Sequence, residues 1–336
     1  YTGNAISTGG NSIALGQSAW ATGNDTIAIG SAAKAMTPNS IAIGLNSAVY
    51  GPMGSGNVFG ISMGVGAVSG IAPGTLNADG TIAVFSTNGV AIGSGADATA
   101  TAPASPVAIG WHAKATGAGS QVAIGDWAVA TGKNAVGIGG NPGSPGTLAK
   151  GDYSLAIGPS TQALNKNTIA MGKAAKASGD DAVAIGGNDT AGAQASAAGA
   201  VAIGGNTKAS AAGSMALAQN SIASATGAVA IGGGSVADIA NSVAVGTGSK
   251  VAAYQQASGL VNGRNLTFAG GGASLNVLSV GVKNAERQIQ NVAAGRIAAD
   301  STDAVNGSQL YQTFDMSVKY DQNSDGSLNK DSVTFA

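Results

Sequence analysis

No cysteine occurs among the 336 residues, so neither a disulfide framework nor a thiolate metal site can be built. A single histidine, His112, excludes any multi-histidine metal centre or repeated histidine-based triad within one chain. Charge is nearly absent: 15 basic and 16 acidic side chains almost cancel, which leaves no electrostatic basis for nucleic-acid binding. No window approaches the ~18 uncharged apolar residues of a membrane-spanning helix, because Gly, Ser, Asn or Thr interrupts every apolar run. A hydrophobic fraction of 44% at such low charge argues against disorder. The 55 glycines do not fall at every third position, so collagen is excluded as well. Tyr1 opens the chain without Met or a signal sequence and Ala336 ends it without an anchor, so the expectation is a segment excised from something longer.

What the chain has in abundance is repetition. The phrase small–aliphatic–Ala–aliphatic–Gly recurs as SIALG at 12–16, TIAIG at 26–30, SIAIG at 40–44 and PVAIG at 106–110, and continues to SVAVG at 242–246. Weaker copies are GISMG at 60–64 and SMALA at 214–218, where Ala218 replaces the Gly. Eight of the fourteen intervals between closing residues 16 and 246 equal 14, which defines a 14-residue unit with insertions. A second phrase, x-x-Ala-x-Ala-x-Gly, follows each closing Gly, as in QSAWATG at 17–23 and KAAKASG at 173–179.

Alternation with period two makes both phrases short strands. In Ile27-Ala28-Ile29 the two Ile share one face and Ala28 takes the other, while Ala-x-Ala sets two small side chains on one face. Gly supplies the φ > 0 geometry of the turns between them. One unit is therefore two strands and two turns, one coil of an all-β solenoid. Buried aliphatics, at roughly 1.5–3 kcal/mol each, are expected to hold the coil together. The small-residue face is expected to let another chain pack closely alongside. Fixing each backbone costs about 1–2 kcal/mol, so no coil stands alone and stacking is obligatory. At ~4.8 Å per coil, fifteen coils would extend about 70 Å. The 18-residue coil of hexapeptide acyltransferases does not fit a 14-residue period, and the Thr-x-Thr ladder of ice-binding solenoids is absent.

The phrase S-[IV]-A-[IL]-G-x-x-A-x-A-x-G resembles the head repeats of trimeric autotransporter adhesins, the YadA-like bacterial surface proteins. Residues 278–310, LSVGVKNAERQIQNVAAGRIAADSTDAVNGSQL, resemble that family's neck. Its string Q-I-x-N-V-A-A-G…D-A-V-N-x-x-Q-L is carried here by Gln288, Ile289, Asn291, Val292, Gly295, Asp303, Ala304, Val305, Asn306, Gln309 and Leu310. Together the two resemblances cover about residues 1–313. They imply a homotrimer of left-handed parallel β-rolls side by side around one axis, narrowed by the neck onto a coiled-coil stalk. On that basis residues 1–250 are head repeats with an irregular insertion at 45–88, and 251–277 are an atypical final coil or insertion. Residues 278–313 are the neck leading into a stalk helix, and 314–336 open the next stalk module. Asp300-Ser301-Thr302-Asp303 offers helix N-caps, and Leu310 and Phe314 stand at i,i+4 for a helical seam.

Sites for chemistry are few. Gly64-Val65-Gly66 and Gly232-Gly233-Gly234 lack the G-x-x-x-x-G-K-[ST] context of a phosphate cradle and suit solenoid turns. Asp321-x-Asn323-x-Asp325-Gly326 begins like a calcium loop, but its twelfth position is Ser332 rather than Glu. A hairpin turn between strands at 318–321 and 332–336 is expected there. No catalytic residue, metal ligand or cofactor site is assigned. Candidate ligand contacts are Lys34, Lys114, Lys176, Lys208 and Lys250, all at the x of Ala-x-Ala, a position that elsewhere holds Trp20, Asp97, Val129 or Gln162. Such lysines either discourage edge association or form a cationic stripe for anionic glycans or matrix proteins. Trp20, Trp111 and Trp127 are read as turn residues that could serve as contact points, with Tyr50, Phe59 and Phe85 in the irregular block. Insertions at 45–88, 140–153 and 187–196 are candidate partner-specific loops.

The combined expectation is a non-enzymatic surface adhesin segment that attaches bacteria to host cells, matrix proteins or glycans through three identical faces. A passive spacer or shielding fibre is the alternative. Nucleic acid is not an expected partner. The family resemblance implies a bacterial cell-surface location, with the membrane touched only by an outer-membrane anchor outside these residues.

Overall fold

The computed structural model describes residues 3–51, 59–71, 88–101, 104–140, 146–188, 191–255, 259–261, 264–266, 268–270, 276–317 and 319–334. These fall into two compact units, Tyr1–Ala253 with Asn276–Asn284, and Tyr254–Leu275 with Ala285–Ala336.

The first unit is a parallel β-solenoid. Each aliphatic–Ala–aliphatic strand pairs with its counterpart in the next coil, giving a 16-stranded sheet from Ile13–Leu15 to Val243–Val245 that ends on Leu278–Ser279. The Ala-x-Ala strands make a second parallel sheet of 15 strands, from Ile6–Ser7 to Val236–Ala237. Identical residues stack on one another, as in Ile27↔Ile41, Ala28↔Ala42 and Ile29↔Ile43. The register survives the insertions: Ile43 pairs with Met63 and Ile185 with Ile203. Inside 45–88, strands Ala48–Tyr50, Ile61–Met63 and Val68–Ile71 are rungs of the two sheets, while 52–58 and 72–87 lie outside the described residues.

The alternation is oriented opposite to the expectation. Ala28, Ala42, Ala108 and Ala156 of the first sheet are fully buried, as are Ala21, Ala35, Ala115 and Ala163 of the second. The core is thus two layers of methyl groups. The Ile, Val, Leu and Met flanking each central Ala point outward and remain half-exposed or exposed. Buried aliphatics do not hold the coil, and the alanine faces do not meet a neighbour; both expectations are corrected. Sterics explain the inversion, because a 14-residue perimeter leaves little depth between the sheets. Where Val49 points inward, the facing position is Gly60, and a Cβ there would strike the Val49 side chain. Ser62, which replaces a core Ala, donates to the Ala48 carbonyl at 2.7 Å and shares a 2.8 Å bond with Ser69 Oγ, so its buried hydroxyl is satisfied.

Fourteen closing glycines hold φ between +107° and +139°. At Gly30 (φ +129°) a Cβ would also lie 2.6 Å from the Gly44 carbonyl oxygen of the next coil, so backbone angle and coil stacking both require glycine. Two residues later the chain is left-handed again, at Ser18, Ala32, Asn46, His112 and Trp127 among others.

In the second unit, Gly259–Val261 pairs antiparallel with Arg264–Leu266. The helix Gly307–Asp315 is capped by Asn306, not by residues 300–303: the Asn306 side chain accepts from the Gln309 N–H, and Gln309 answers to the Asn306 backbone. Leu310 and Phe314 lie on that helix and are exposed. Lys319–Gln322 and Leu328–Thr334 form the expected hairpin, with a tighter turn because the second strand starts at Leu328. Among the described residues no helix is long and apolar enough to cross a membrane.

Candidate functional site

The five lysines occupy one register position of the second sheet. The ladder runs Trp20↔Lys34↔Ala48 at one end and Asp97↔Lys114↔Val129 in the middle. It continues Gln162↔Lys176↔Gln194↔Lys208↔Ile222, and Val236 bridges to Lys250. Alternation aims this residue outward because its two neighbours are buried in the core, Ala33 and Ala35 beside Lys34, Thr207 and Ala209 beside Lys208, Ser249 and Val251 beside Lys250. No two lysines are adjacent rungs. Lys34 Nζ lies 5.5 Å over the Trp20 ring, Lys250 approaches Asp238 at 3.9 Å, and Lys114 stands beside Asp97. Lys176 and Lys208, separated by Gln194, stand between uncharged rungs and are exposed. At ~4.8 Å per rung their Cα atoms are about 10 Å apart. The stripe is therefore weak at both ends and most cationic between 176 and 208.

The three tryptophans are not equivalent. Trp20 sits on a strand rather than in a turn, next to a cavity of about 410 Å³ that Gly3, Asn4, Ile6 and Lys34 also line. Trp111 and Trp127 are in turns, as expected, and His112 joins them. Ring centroids are 4.9 Å apart for Trp111–His112, 4.7 Å for His112–Trp127 and 5.7 Å for Trp111–Trp127. Sequence alone did not reveal this cluster, because Trp111 and Trp127 are 16 residues apart; the signal was their near-equal phase within neighbouring repeats. Tyr50 is half-buried on a strand, Phe59 is exposed with its N–H bonded to Asn88 Oδ1 at 3.2 Å, and Phe85 lies outside the described residues.

The string within residues 288–310 forms a hydrogen-bonded clasp. Gln309 Oε1 accepts from the Gly295 N–H at 2.9 Å and the Asn306 N–H at 3.3 Å, while its Nε2 donates to the Gly295 carbonyl at 2.7 Å. Asn306 Nδ2 donates to the Val292 carbonyl at 3.1 Å, and Asp303 Oδ2 accepts from the Arg296 N–H at 3.0 Å. Gly295 is required because a Cβ would strike the Ala304 carbonyl oxygen. Gln288, Ile289, Asn291, Ala304, Val305 and Leu310 make no side-chain core in one chain; Ile289, Val305 and Leu310 are each about two-thirds exposed.

In the hairpin turn, Asp325 Oδ1 accepts from the Ser327 N–H at 2.9 Å and the Ser327 hydroxyl at 2.6 Å, and these bonds hold its carboxyl below the usual aspartate range. Asn323 Nδ2 donates to Ser327 Oγ at 3.0 Å, so the loop's polar groups are spent on each other. Among the described residues no group of three His, Asp or Glu is arranged to hold a metal.

Residues 7–33, 21–47, 122–141, 149–173, 163–188, 195–217 and 223–249 match the YadA head domain repeat. Residues 288–333 match the coiled stalk of trimeric autotransporter adhesin. Over 89 residues the chain is 47% identical to autotransporter adhesin BtaE of Brucella suis biovar 1, a match covering 22% of this chain and 12% of that protein. The chain thus spans a small fraction of the curated relative's length. Among solved structures, the C-terminal YadA-like domain of a Burkholderia pseudomallei protein is 45% identical, covering 28% of this chain and 46% of that one, with a TM-score of 0.27. The collagen-binding domain of the Yersinia adhesin YadA is 28% identical, covering 61% and 84%, with a TM-score of 0.37.

Proposed function

The chain belongs to the trimeric autotransporter adhesins, and from that premise we propose that it attaches bacteria to host cells or extracellular matrix through a multivalent trimeric surface. Membership itself carries the coarser statement, an adhesive and non-enzymatic role in a family of outer-membrane-anchored surface proteins. One observation supports the finer reading: the solenoid presents two long columns of outward aliphatics and a separate, varied column on the other sheet. Three chains would cover the aliphatic columns against each other and leave the varied columns outside. Each contact need only be weak, because copies on one rigid body act at high effective concentration. The lysine ladder and the exposed tryptophans are the proposed contacts, residues 278–313 the neck, and 314–336 the opening of the next stalk module.

Binding of the purified trimer to collagen, fibronectin, laminin and epithelial cells tests the reading. Saturable attachment that weakens with salt and with replacement of Lys34, Lys114, Lys176, Lys208 and Lys250 by Gln is expected. Uniform failure to bind would instead favour a spacer role, and attachment indifferent to the five substitutions would remove the lysine ladder from the site.

A further inference from the structure

We propose that Trp111, His112 and Trp127 form a platform for a neutral pyranose, a sugar unit without sulfate or carboxylate, on host-surface glycans; this deepens the adhesive reading and rests on it. The first observation is conformational. His112 and Trp127 occupy turn positions with φ +53° and +59°, left-handed angles that bulky residues disfavour. At the same turn position other coils carry Asn46, Gly66, Gly95, Asn206 or Asn220, which suit that geometry. The strain is not offset by burial, since Trp111 and Trp127 are 47% and 41% exposed. Burial in the core therefore does not account for aromatics at this edge.

The second observation is the arrangement. His112 stacks on Trp127 at 26° between ring planes, and Trp111 meets Trp127 edge-on at 79°. Rings at 4.7–5.7 Å are packed on one another, so they enclose no cage for an ammonium group or an inserted side chain. They present an exposed apolar patch instead, with Trp111 standing edge-on to the stacked His112–Trp127 pair. The floor beside it is bare: Gly95 lies under the His112 ring, and Gly66 has open space where a side chain would stand. Asp126 places a carboxylate at the cluster, its Oδ1 accepting from the Trp111 N–H at 3.2 Å. A carboxylate rejects sulfated and carboxylated ligands and accepts hydroxyl protons. A pyranose matches both halves, with a C–H face to lie on the negative face of an indole and a rim of hydroxyls for Asp126.

The test uses the whole trimer with Trp111→Ser and Trp127→Asn, which install residues that other coils carry at those turn positions (Ser94 and Asn46). A panel of neutral galactose- and N-acetylhexosamine-terminated oligosaccharides is probed by saturation-transfer NMR and calorimetry, beside heparin, a sialylated glycan and a collagen peptide. The expected result is binding of neutral glycans, weakened at least tenfold in the double variant, with an undiminished thermal midpoint. No neutral-glycan binding by the natural chain, a preference for the peptide or anionic glycans at the cluster, or a lowered midpoint in the variant would each overturn the proposal. If cells still attach while glycans do not bind, the platform fails and the adhesive reading stands; loss of both removes both.

Discussion

Gly110→Ala and Gly66→Ala change the same atoms in neighbouring parts of the solenoid, and the structure predicts very different outcomes. Gly110 has φ +133°, and a Cβ there would sit 2.6 Å from both the carbonyl carbon and oxygen of Gly125 in the next coil. Holding a non-glycine residue in so sparsely populated a region costs about 1–3 kcal/mol. Pushing two stacked coils apart adds an overpacking penalty of typically 1–3 kcal/mol. The sum, about 2–6 kcal/mol, is a large part of the 5–15 kcal/mol that usually separates folded from unfolded chains. The Ala218 coil shows how far the backbone can give, since φ falls to 89° there. Gly66 has φ +65° and open space around the added Cβ. Its Ala variant meets only the left-handed penalty of roughly 1 kcal/mol, which the natural chain already tolerates at Ala32 and Ala174. Guanidinium titrations followed by circular dichroism would give a large drop in midpoint for Gly110→Ala and a small one for Gly66→Ala. Equal drops would refute the argument that coil-to-coil contact adds to the left-handed penalty at Gly110.

Four further outcomes follow from the same geometry. Ala156→Val forces bulk between the sheets and should lower the thermal midpoint by the equivalent of about 1–3 kcal/mol, whereas the outward Ile157→Val should cost about 0.5–1.5 kcal/mol or less. Val122→Ser with Ile124→Ser leaves the core methyls in place; sedimentation should show weakened trimers with the strand circular-dichroism signal retained, and unchanged association would mean that the aliphatic face is not the interface. Gln309→Ala removes three hydrogen bonds at about 0.5–1.5 kcal/mol each, so hydrogen exchange at Gly295 and Asn306 should accelerate well before the head is affected. Because Asp325 has a depressed pKa, its contribution is present above the ordinary aspartate range and lost as pH falls through its folded value; turn amide shifts of Ser327 should move at a lower pH in the natural chain than an unperturbed aspartate would titrate, and a midpoint in or above the ordinary aspartate range would refute this.

The period, the two strands per coil and the glycine turns were legible because each is local. Ile27-Ala28-Ile29 states its alternation in three residues, and Gly30 states its turn in one. Which face of that alternation is the inside was not legible. Hydrophobic ranking puts Ile inward, but ranking ignores the depth available between the sheets, and Ala28 at zero exposure shows that depth decides. The helix cap failed for a related reason: Asp300 to Asp303 all have capping side chains, and the choice of Asn306 depends on Gln309 reaching back three residues to close a capping box. The aromatic cluster was hidden because Trp111 stands one residue after Gly110 and Trp127 two residues after Gly125, so the two occupy successive turn positions rather than the same one.

An alanine core has a consequence for how such a chain divides its tasks. Methyl layers fill space but carry little shape, so they cannot by themselves fix which coil sits on which; that is left to the glycine turns and the parallel ladder. Neither depends on what points outward from the second sheet. Trp20, Lys34, Ala48, Val68, Asp97 and Lys114 therefore succeed one another at a single register position without disturbing the fold. The first sheet has no such freedom: its central strands carry Ile, Val, Leu or Met at both outward positions, rung after rung. Surface that is uniform on one face and variable on the other is what separate demands would leave, one for a fixed partner of the same kind and one for changing partners. Exchanging Val129 and Leu148 on the second sheet for Lys should consequently leave assembly intact and alter binding alone, and dissociation of the trimer on that change would show that the two faces are not independent.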